Sequence, residues 1–205
     1  KMKQDKAIKK INSLFMDSIT TKQACLKQGL MCISNMSNQI TEIIKNGNKI
    51  MLCGNGGSAA DAQHLAAEML VRLRPMNNRK GVAAIALAQD TSTITACGND
   101  FGYDQIYKRM IESLGKEGDC LIAITTSGNS KNVILAMKAA KIMGIKVYGF
   151  LGSGGGKALE FCDEAFVVPS DNTGRVQEVH ITAGHALMEC VEDNLLDFGY
   201  LTLQI

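Results

Sequence analysis

Apolar residues recur at helical spacing through residues 3–47, a stretch that contains no strand-like run. They stand at Ile8, Ile11, Leu14, Phe15 and Ile19, and again at Leu30, Ile33, Met36, Ile40, Ile43 and Ile44. This spacing predicts two helices, or one helix broken near Thr20–Thr21. Asn46-Gly47-Asn48 ends the pattern, because Asn and Gly are typical stop residues. We expect residues 1–47 to belong to the same domain as the rest of the chain and to form an interface between subunits rather than ordinary core.

Short apolar runs alternate with helical patterns through residues 48–205. The runs predict strands at Lys49–Cys53, Ala83–Leu87, Cys120–Ile124, Lys146–Leu151 and Ala165–Val168. The helical patterns cover Ser58–Arg72, Thr91–Cys97, Tyr103–Leu114, Ser130–Met143, Lys157–Phe161 and Val176–Phe198. Apolar strands separated by helices are typical of a parallel sheet covered on both faces. The predicted fold is therefore α/β, a single domain with a five-stranded parallel sheet and additional N-terminal helices.

The composition is that of an ordinary globular protein. Of the 205 residues, 46% are hydrophobic and 20% are charged, which suits one domain with a sizeable core. The net charge of +2 gives no electrostatic reason to expect binding to nucleic acid or to an acidic membrane. The apolar runs are too short or too interrupted for a transmembrane helix, and the polar, Lys-rich start does not resemble a secretion signal. We expect neither a nucleic-acid nor a membrane partner.

The chain contains seven cysteines and no Cys-x-x-Cys motif. They are Cys25, Cys32, Cys53, Cys97, Cys120, Cys162 and Cys190. An odd number of scattered cysteines is typical of reduced thiols in the cytoplasm. Cys53, beside the first glycine-rich loop, is the best candidate for a reactive thiol, although a buried cysteine more often only packs.

Three predicted strands end in loops suited to a polar ligand, and ligands of parallel sheets bind at the carboxyl ends of the strands. The loop Thr125–Ser130 carries four hydroxyl groups and leads into a helix. A helix start offers free N–H groups and the positive end of the dipole. The loop is therefore predicted to bind phosphate without Lys or Arg. The alternative is a turn in which a serine simply caps the helix.

The loop from Gly54 to Ser58 lacks the spacing of a dinucleotide fingerprint or a P-loop, so a nucleotide cofactor is not indicated. Its glycines allow close approach of a ligand, and Asn55 and Ser58 offer polar groups to sugar hydroxyls. The alternative is a tight strand-to-helix turn. The third loop, Gly152–Gly156, is less specific, and we interpret it as structural.

His64-x-x-x-Glu68 opens the helix after the first of these loops. The chain has only three histidines, His64, His180 and His185. Residues four apart share a helix face, so His64 and Glu68 could be two metal ligands, or a ligand and a base. An isolated pair of this kind is more often a surface contact. The neighbouring glycine-rich loops favour the functional interpretation.

Three separated motifs, CGNGGSAADAQH, TTSGNS and RVQEVHITAGH, resemble the sugar isomerase (SIS) domain family, and within it the phosphoheptose isomerases. The resemblance covers nearly the whole chain and includes the segment Cys97–Gly102. It implies a five-stranded parallel α/β fold and a homotetramer with active sites between subunits. It also implies isomerisation of D-sedoheptulose 7-phosphate to D-glycero-D-manno-heptose 7-phosphate, the first step of heptose biosynthesis.

The same resemblance implies particular site residues. Glu68 and His185 would be the acid/base pair, and Zn²⁺ would be held by His64, Glu68, Gln177 and His185. The implied substrate contacts are Asn55, Gly56, Gly57, Ser58, Arg72, Asn99, Asp100, Thr125, Thr126, Ser127, Ser130 and Gln177. Thr125 stands where the family is expected to have Ser, a change that should be tolerated. His180 is not among the implied positions.

This chemistry suits the implied residues. A proton moves between C1 and C2 of the sugar through a cis-enediol, which a carboxylate or an imidazole can catalyse. Zn²⁺ can polarise the carbonyl group, and a Gln oxygen is a weak ligand for it. Ligation would lower the basicity of Glu68, so its exact role stays open.

The spacing of Gln177 and His185 raises a question about the metal site. The two residues are eight apart, about 12 Å along a helix. Either their side chains lean toward each other along a bent helix, or different subunits supply them. In the second case the site would exist only in the oligomer.

Three other functions are compatible with parts of the sequence. A branch of the same fold binds the replication initiator DnaA, but it is expected to lack the residues equivalent to Glu68 and His185. A regulator that only senses a sugar phosphate would not need that pair either. An isomerase of a hexose or pentose phosphate would need it, and the sequence does not set the length of the sugar. The pair favours an enzyme.

Overall fold

A computed structural model describes residues 2–203 of the chain. The helices are α1 (Met2–Lys45), α2 (Gly57–Leu70), α3 (Thr91–Asp100), α4 (Ile106–Leu114), α5 (Lys131–Ile142) and α6 (Thr173–Asp197). Two 3₁₀ helices cover Tyr103–Gln105 and Ser153–Phe161. The strands are β1 (Ile50–Gly54), β2 (Ala84–Ala86), β3 (Cys120–Thr125), β4 (Lys146–Leu151) and β5 (Glu164–Val167).

The strands form one sheet in the order β2-β1-β3-β4-β5, and every neighbouring pair is parallel. The predicted five-stranded parallel α/β fold is confirmed. Alternate residues of each central strand face opposite sides of the sheet. Ile50 and Leu52 pack on the side of α1, α2 and α6, whereas Met51 and Cys53 pack on the side of α3, α4 and α5. Both faces of the sheet are therefore buried, which explains why the strands read as continuous apolar runs.

The N-terminal segment is one helix of 44 residues, not two. The predicted break near Thr20–Thr21 is wrong. The Thr21 hydroxyl donates to the Asp17 carbonyl at 2.8 Å, one turn earlier, so the threonine satisfies its polar group within the helix. The C-terminal half of α1 packs into the core through residues such as Met36 and Ile40, which are fully buried. Large apolar residues of the N-terminal half are exposed, including Phe15 at 68%.

Cys53 lies fully buried in β1. Burial raises the pKa of its thiol to about 12, so the group is protonated at neutral pH. A reactive thiol at this position is therefore excluded by its surroundings, because the thiolate is the nucleophile. All seven cysteines are free. Between residues 2 and 203, no helix combines the length and the apolar character needed to cross a membrane.

Candidate active site

The carboxyl ends of β1, β3 and β4 lie side by side, because these strands are neighbours in the sheet. Each of the three loops predicted to suit a polar ligand follows one of these strands. The first loop joins β1 to α2, the hydroxyl-rich loop joins β3 to α5, and Gly152–Gly156 follows β4. The parallel topology thus brings the three sequence motifs to one edge of the sheet, as the rule for α/β folds predicts.

His64, Glu68 and His185 come together beside this edge. His64 Nε2 lies 2.8 Å from His185 Nε2 and 3.2 Å from Glu68 Oε1. Glu68 is mostly buried, with 14% of its side chain exposed, whereas 48% of the His64 side chain is exposed. The group is thus open to solvent on the side of His64, and one chain supplies all three side chains. These three donors therefore need no second subunit.

A glycine allows α6 to approach α2 closely at this point. A Cβ atom on Gly184 would lie 2.6 Å from Cδ1 of Leu65, so any other residue here would have to displace that leucine side chain. Gly184 precedes His185 on α6, and Leu65 follows His64 on α2. The contact between Gly184 and Leu65 therefore brings the two histidines within reach of each other.

Asp61 is a carboxylate that sequence reasoning did not single out. Its Oδ2 atom is buried without a hydrogen-bond partner among the described residues. Burial raises the pKa of Asp61, and the charges of His64 and His185 act in the opposite direction. Histidines that bind a metal usually donate their second N–H to such a carboxylate. The sequence contains a pattern that could have indicated Asp61, since it lies one turn before His64 on the same helix face.

The three donors fit a zinc ion by chemistry and by spacing. Imidazole nitrogens and carboxylate oxygens are ordinary zinc ligands, and ligand atoms around a tetrahedral ion lie about 3.3 Å apart. The three donor atoms lie within 4.8 Å of one another. Two imidazole nitrogens at 2.8 Å also repel when both lone pairs point inward, unless a proton or a cation lies between them.

Gln177 contacts a different part of α2. A Cβ atom on Gly57 would lie 2.6 Å from Gln177 Nε2, so the amide lies against the first residue of the helix. His64 lies seven residues further along α2, about 10 Å by helix rise. The helices α2 and α6 therefore run side by side, with Gln177 against the start of α2 and His185 against its second half. A contribution of Gln177 to a shared metal site from another subunit stays a prediction.

The hydroxyl-rich loop has its side chains clustered. Thr125 Oγ1 lies 3.0 Å from Ser130 Oγ and 3.4 Å from Ser127 Oγ. Ser130 occupies the cap position of α5, yet its side chain makes no capping hydrogen bond. The alternative of a simple serine cap therefore does not describe this loop. Thr126 is half-buried and Ser127 is exposed, so the cluster has an accessible side.

The Gly152–Gly156 loop packs against the hydroxyl-rich loop. The Ala158 N–H donates to the Gly128 carbonyl at 2.8 Å, and the Lys157 N–H donates to Asn129 Oδ1 at 3.2 Å. Gly128 has a φ of +65°, and a Cβ there would lie 2.1 Å from the Gly155 carbonyl oxygen. The loop Gly152–Gly156 thus supports the hydroxyl-rich loop, and this is the structural role that we assign to it.

Asn55 is held in a network that links the first loop to α5. Asn55 and Asn132 exchange two amide hydrogen bonds of 2.8 Å, and the Tyr103 hydroxyl donates to Asn55 Oδ1 at 2.9 Å. Sequence reasoning missed Asn132 and Tyr103, because such contacts between distant segments leave no local pattern. Ser58 is buried at 4% exposure beneath the turn.

The other predicted substrate contacts occupy separate positions. Gly56, with a φ of +56°, and Gly57 form the turn into α2. Arg72 is exposed just beyond the end of α2. Asn99 and Asp100 are exposed at the end of α3, where Asn99 donates to Asp100 Oδ1 at 2.8 Å.

His180 is buried at 1% exposure and lies outside the group of three donors. Its Nε2 lies 3.0 Å from the Leu151 carbonyl at the end of β4, and its Nδ1 has no partner among the described residues. Burial lowers the pKa of His180 from 6.5 to about 4, and the bond to Leu151 opposes the shift. The imidazole is therefore neutral in the folded protein at pH 7.

Stability is expected to fall in acid partly because of His180. The unfolded state takes up this proton near pH 6.5, whereas the folded state does so only near pH 4. The contribution of His180 is thus complete above pH 6.5 and is lost as the pH falls toward 4. Between pH 7 and pH 5 the loss is about 2 kcal/mol. Urea unfolding of the wild type and of His180→Gln at pH 7, 6 and 5 measures it. Equal pH dependence in both proteins would contradict the assignment.

Comparison with known proteins agrees with this arrangement. The sequence model of the SIS domain family matches residues 4–152. The phosphoheptose isomerase of Clostridium acetobutylicum is 46% identical over 187 residues, which cover 90% of this chain and 94% of that protein. The solved phosphoheptose isomerase of Neisseria gonorrhoeae superposes with a TM-score of 0.85 at 39% identity, covering 91% of this chain and 99% of that one. The solved enzyme from Francisella tularensis gives 0.87 at 34% identity, with 91% and 98% covered. The chain therefore belongs to the SIS domain family and, within it, to the phosphoheptose isomerases.

Proposed function

We propose that this protein isomerises D-sedoheptulose 7-phosphate to D-glycero-D-manno-heptose 7-phosphate in heptose biosynthesis. The observation that carries the proposal is the meeting of Glu68, on α2, with the histidines His64 and His185. The hydroxyl-rich loop at the same edge of the sheet supports a phosphorylated substrate. The family of the chain supports the seven-carbon sugar.

Glu68 and His185 are assigned the proton transfers. The ketose loses a proton from C1 while its C2 oxygen gains one, which gives the cis-enediol. A proton is then returned to C2 as the C1 hydroxyl loses its own, and the aldose results. A carboxylate suits transfers at carbon and an imidazole suits transfers at oxygen. The low exposure of Glu68, 14% of its side chain, keeps water away from the base.

The proposal includes Zn²⁺ held by His64, Glu68 and His185 of one chain, with Gln177 from another subunit as a weaker fourth ligand. When bound, the ion would polarise the carbonyl of the substrate. The spacing of the three donors supports this assignment. A carboxylate has two oxygens, so Glu68 could hold the ion through one of them and accept a proton at the other. Glu68 can then serve as both ligand and base.

The phosphate is assigned to the loop Thr125–Ser130. Ser127→Ala is expected to raise KM about five- to thirtyfold, because it removes a donor worth about 1–2 kcal/mol. The effect on kcat should be smaller, since the phosphate is remote from C1 and C2. Initial rates over a range of substrate concentrations measure both constants. Ser113→Ala, on the exposed side of α4, is the matched control. An unchanged KM in Ser127→Ala would remove the phosphate assignment.

The proposed assembly is a homotetramer in the cytoplasm. Five large apolar side chains of the N-terminal half of α1 are 45–68% exposed: Ile8, Ile11, Phe15, Met16 and Ile19. A cluster of this kind typically marks an interface between proteins, and a second copy would cover it. Phe15→Ser combined with Ile11→Ser is expected to reduce the mass measured by sedimentation equilibrium. An unchanged tetramer mass would place the interface elsewhere.

The cytoplasmic location is proposed on separate grounds. The free thiols support a reducing compartment.

Turnover of sedoheptulose 7-phosphate, measured with and without a chelator, tests the proposed function. Ribulose and fructose phosphates test the length of the sugar in the same assay. Rapid turnover that a chelator abolishes would support both the reaction and the metal. Absence of turnover by folded, zinc-loaded tetramer would refute the proposal and favour a sensor of sugar phosphates or a protein that binds DnaA.

A further inference from the structure

A buried ion pair joins the segment after α2 to α6, away from the proposed reacting groups. Arg79 is 6% exposed and Glu192 is 1% exposed. Arg79 Nε donates to Glu192 Oε1. The other carboxylate oxygen accepts hydrogen bonds from Arg74 Nε at 2.6 Å and from Asn77 Nδ2 at 2.8 Å. The Glu192 carboxylate is thus fully engaged, and these interactions lower its pKa against the opposing effect of burial, which is the largest single influence.

The remaining donors of Arg79 hold the end of α2. Its guanidinium donates to the carbonyls of Glu68 at 3.0 Å, Met69 at 3.1 Å and Lys80 at 3.1 Å. The last carbonyls of a helix have no partner within the helix, and positive charge is favourable there. One of these carbonyls belongs to Glu68 itself. Arg79 therefore fixes the backbone of the residue that carries the proposed base.

Glu192 provides the corresponding anchor on α6. It lies seven residues after His185, about two helical turns, so both side chains point to the same face. Near the two histidines, α2 and α6 also touch through small and apolar groups, such as Gly184 against Leu65. Such contacts allow small sliding movements. The hydrogen bonds of a guanidinium have fixed directions, and they therefore define the register.

We propose that Arg79 and Glu192 are positioning residues, a clasp that sets the register of α2 against α6 and so the distance between Glu68 and His185. The proposal rests on the proposed function, because it assigns those two residues as acid and base. Stability alone does not require charge at this place. A buried ion pair is often no more stabilising than an apolar pair of similar volume. What an apolar pair cannot supply is a set of directed bonds from α6 to the Glu68 carbonyl.

The test replaces the pair as a unit. Arg79→Met combined with Glu192→Leu removes both charges of the clasp, while Arg74 keeps Asp193 as its partner, so the double variant is expected to fold. Its kcat should fall roughly ten- to a hundredfold, because displacements of about 1 Å have effects of that size, while KM changes less than threefold. Its affinity for Co²⁺, added alone as a spectroscopic probe of the N and O ligands, should fall at least tenfold.

Lys49→Met is the matched control. Lys49 Nζ pairs with the buried Asp119 at 2.5 Å, where β1 and β3 begin, which is the opposite end of the strands from the site. Breaking this pair should lower Tm but leave kcat and the affinity for Co²⁺ unchanged. Arg79→Lys is the conservative variant. It keeps the charge but loses the fork of donors, so its kcat should lie between those of the wild type and the double variant.

The outcomes separate this proposal from the assigned reaction. A folded double variant with the kcat and the affinity for Co²⁺ of the wild type would overturn the clasp. If the double variant does not fold, the same comparison on Arg79→Lys decides. If the wild type does not isomerise sedoheptulose 7-phosphate, the proposed function fails. Even in that case, comparing the affinity for Co²⁺ of the variants with that of the control decides whether the clasp sets the geometry of His64, Glu68 and His185.

Discussion

Replacing Glu68 with glutamine is expected to lower kcat on sedoheptulose 7-phosphate at least about a hundredfold, since a positioned acid or base contributes about 10²–10⁴ in rate. The amide keeps the size of the side chain but cannot accept the proton from carbon. The side chain is 14% exposed and lies 3.2 Å from His64 Nε2, a contact that an amide oxygen can still make. The fold should therefore persist, and the circular dichroism spectrum should match that of the wild type.

Glu112→Gln is the control for this substitution. Glu112 is exposed on α4, where it pairs with Lys108 at 3.5 Å, so the same chemical change there should leave kcat unaltered. Initial rates at saturating substrate compare the three proteins. A Glu68→Gln variant that turns over at the rate of the wild type would show that another group removes the proton.

The second large effect is expected for His185→Gln, with two consequences. Its kcat should fall at least about a hundredfold, because the imidazole to which we assign the oxygen protons is lost. The zinc content measured after dialysis should fall, since Nε2 of His185 is one of the three clustered donors. The variant should fold, because the side chain is only half-buried.

His180→Gln is the matched control, since it makes the same change on the same helix five residues earlier. His180 is buried against the carbonyl of Leu151 and is not one of the three donors. That variant should keep its zinc and its kcat at pH 8. If His185→Gln retained both, the assigned metal site and the assigned acid would be wrong together.

The strands were predictable because burial on both faces makes their sequences continuously apolar. The predicted strand Lys146–Leu151 agrees with the structure, and Lys49–Cys53 is displaced by one residue. The break in α1 was wrong because local propensity does not reveal that the Thr21 hydroxyl bonds to the Asp17 carbonyl. Gly154, Gly155 and Gly156 have positive φ angles and form a kink within Ser153–Phe161, so the predicted helix Lys157–Phe161 begins only after them.

The site was predictable only where its residues are close in sequence. The spacing of His64 and Glu68 placed them on one face, but the approach of His185 depends on the packing of α6 against α2. That contact came from the resemblance to a family and not from any local pattern. Arg79 lies in an irregular segment without periodicity. Its partner Glu192 is one of several acidic residues on α6, so nothing in the sequence distinguishes the pair.

The strand order β2-β1-β3-β4-β5 has a mechanical consequence for a ligand held between the loops. The chain winds outward in opposite directions from β1 and β3, so their loops diverge and leave a crevice at the point of reversal. The two walls of that crevice continue directly into fully buried strands, about 4.8 Å apart. A substrate bound there would lie between loops whose bases are fixed by the sheet. The sheet would then determine which length of sugar the site accepts. Substitutions in the loops at its carboxyl edge would change the affinity for the sugar more readily than the length of sugar accepted.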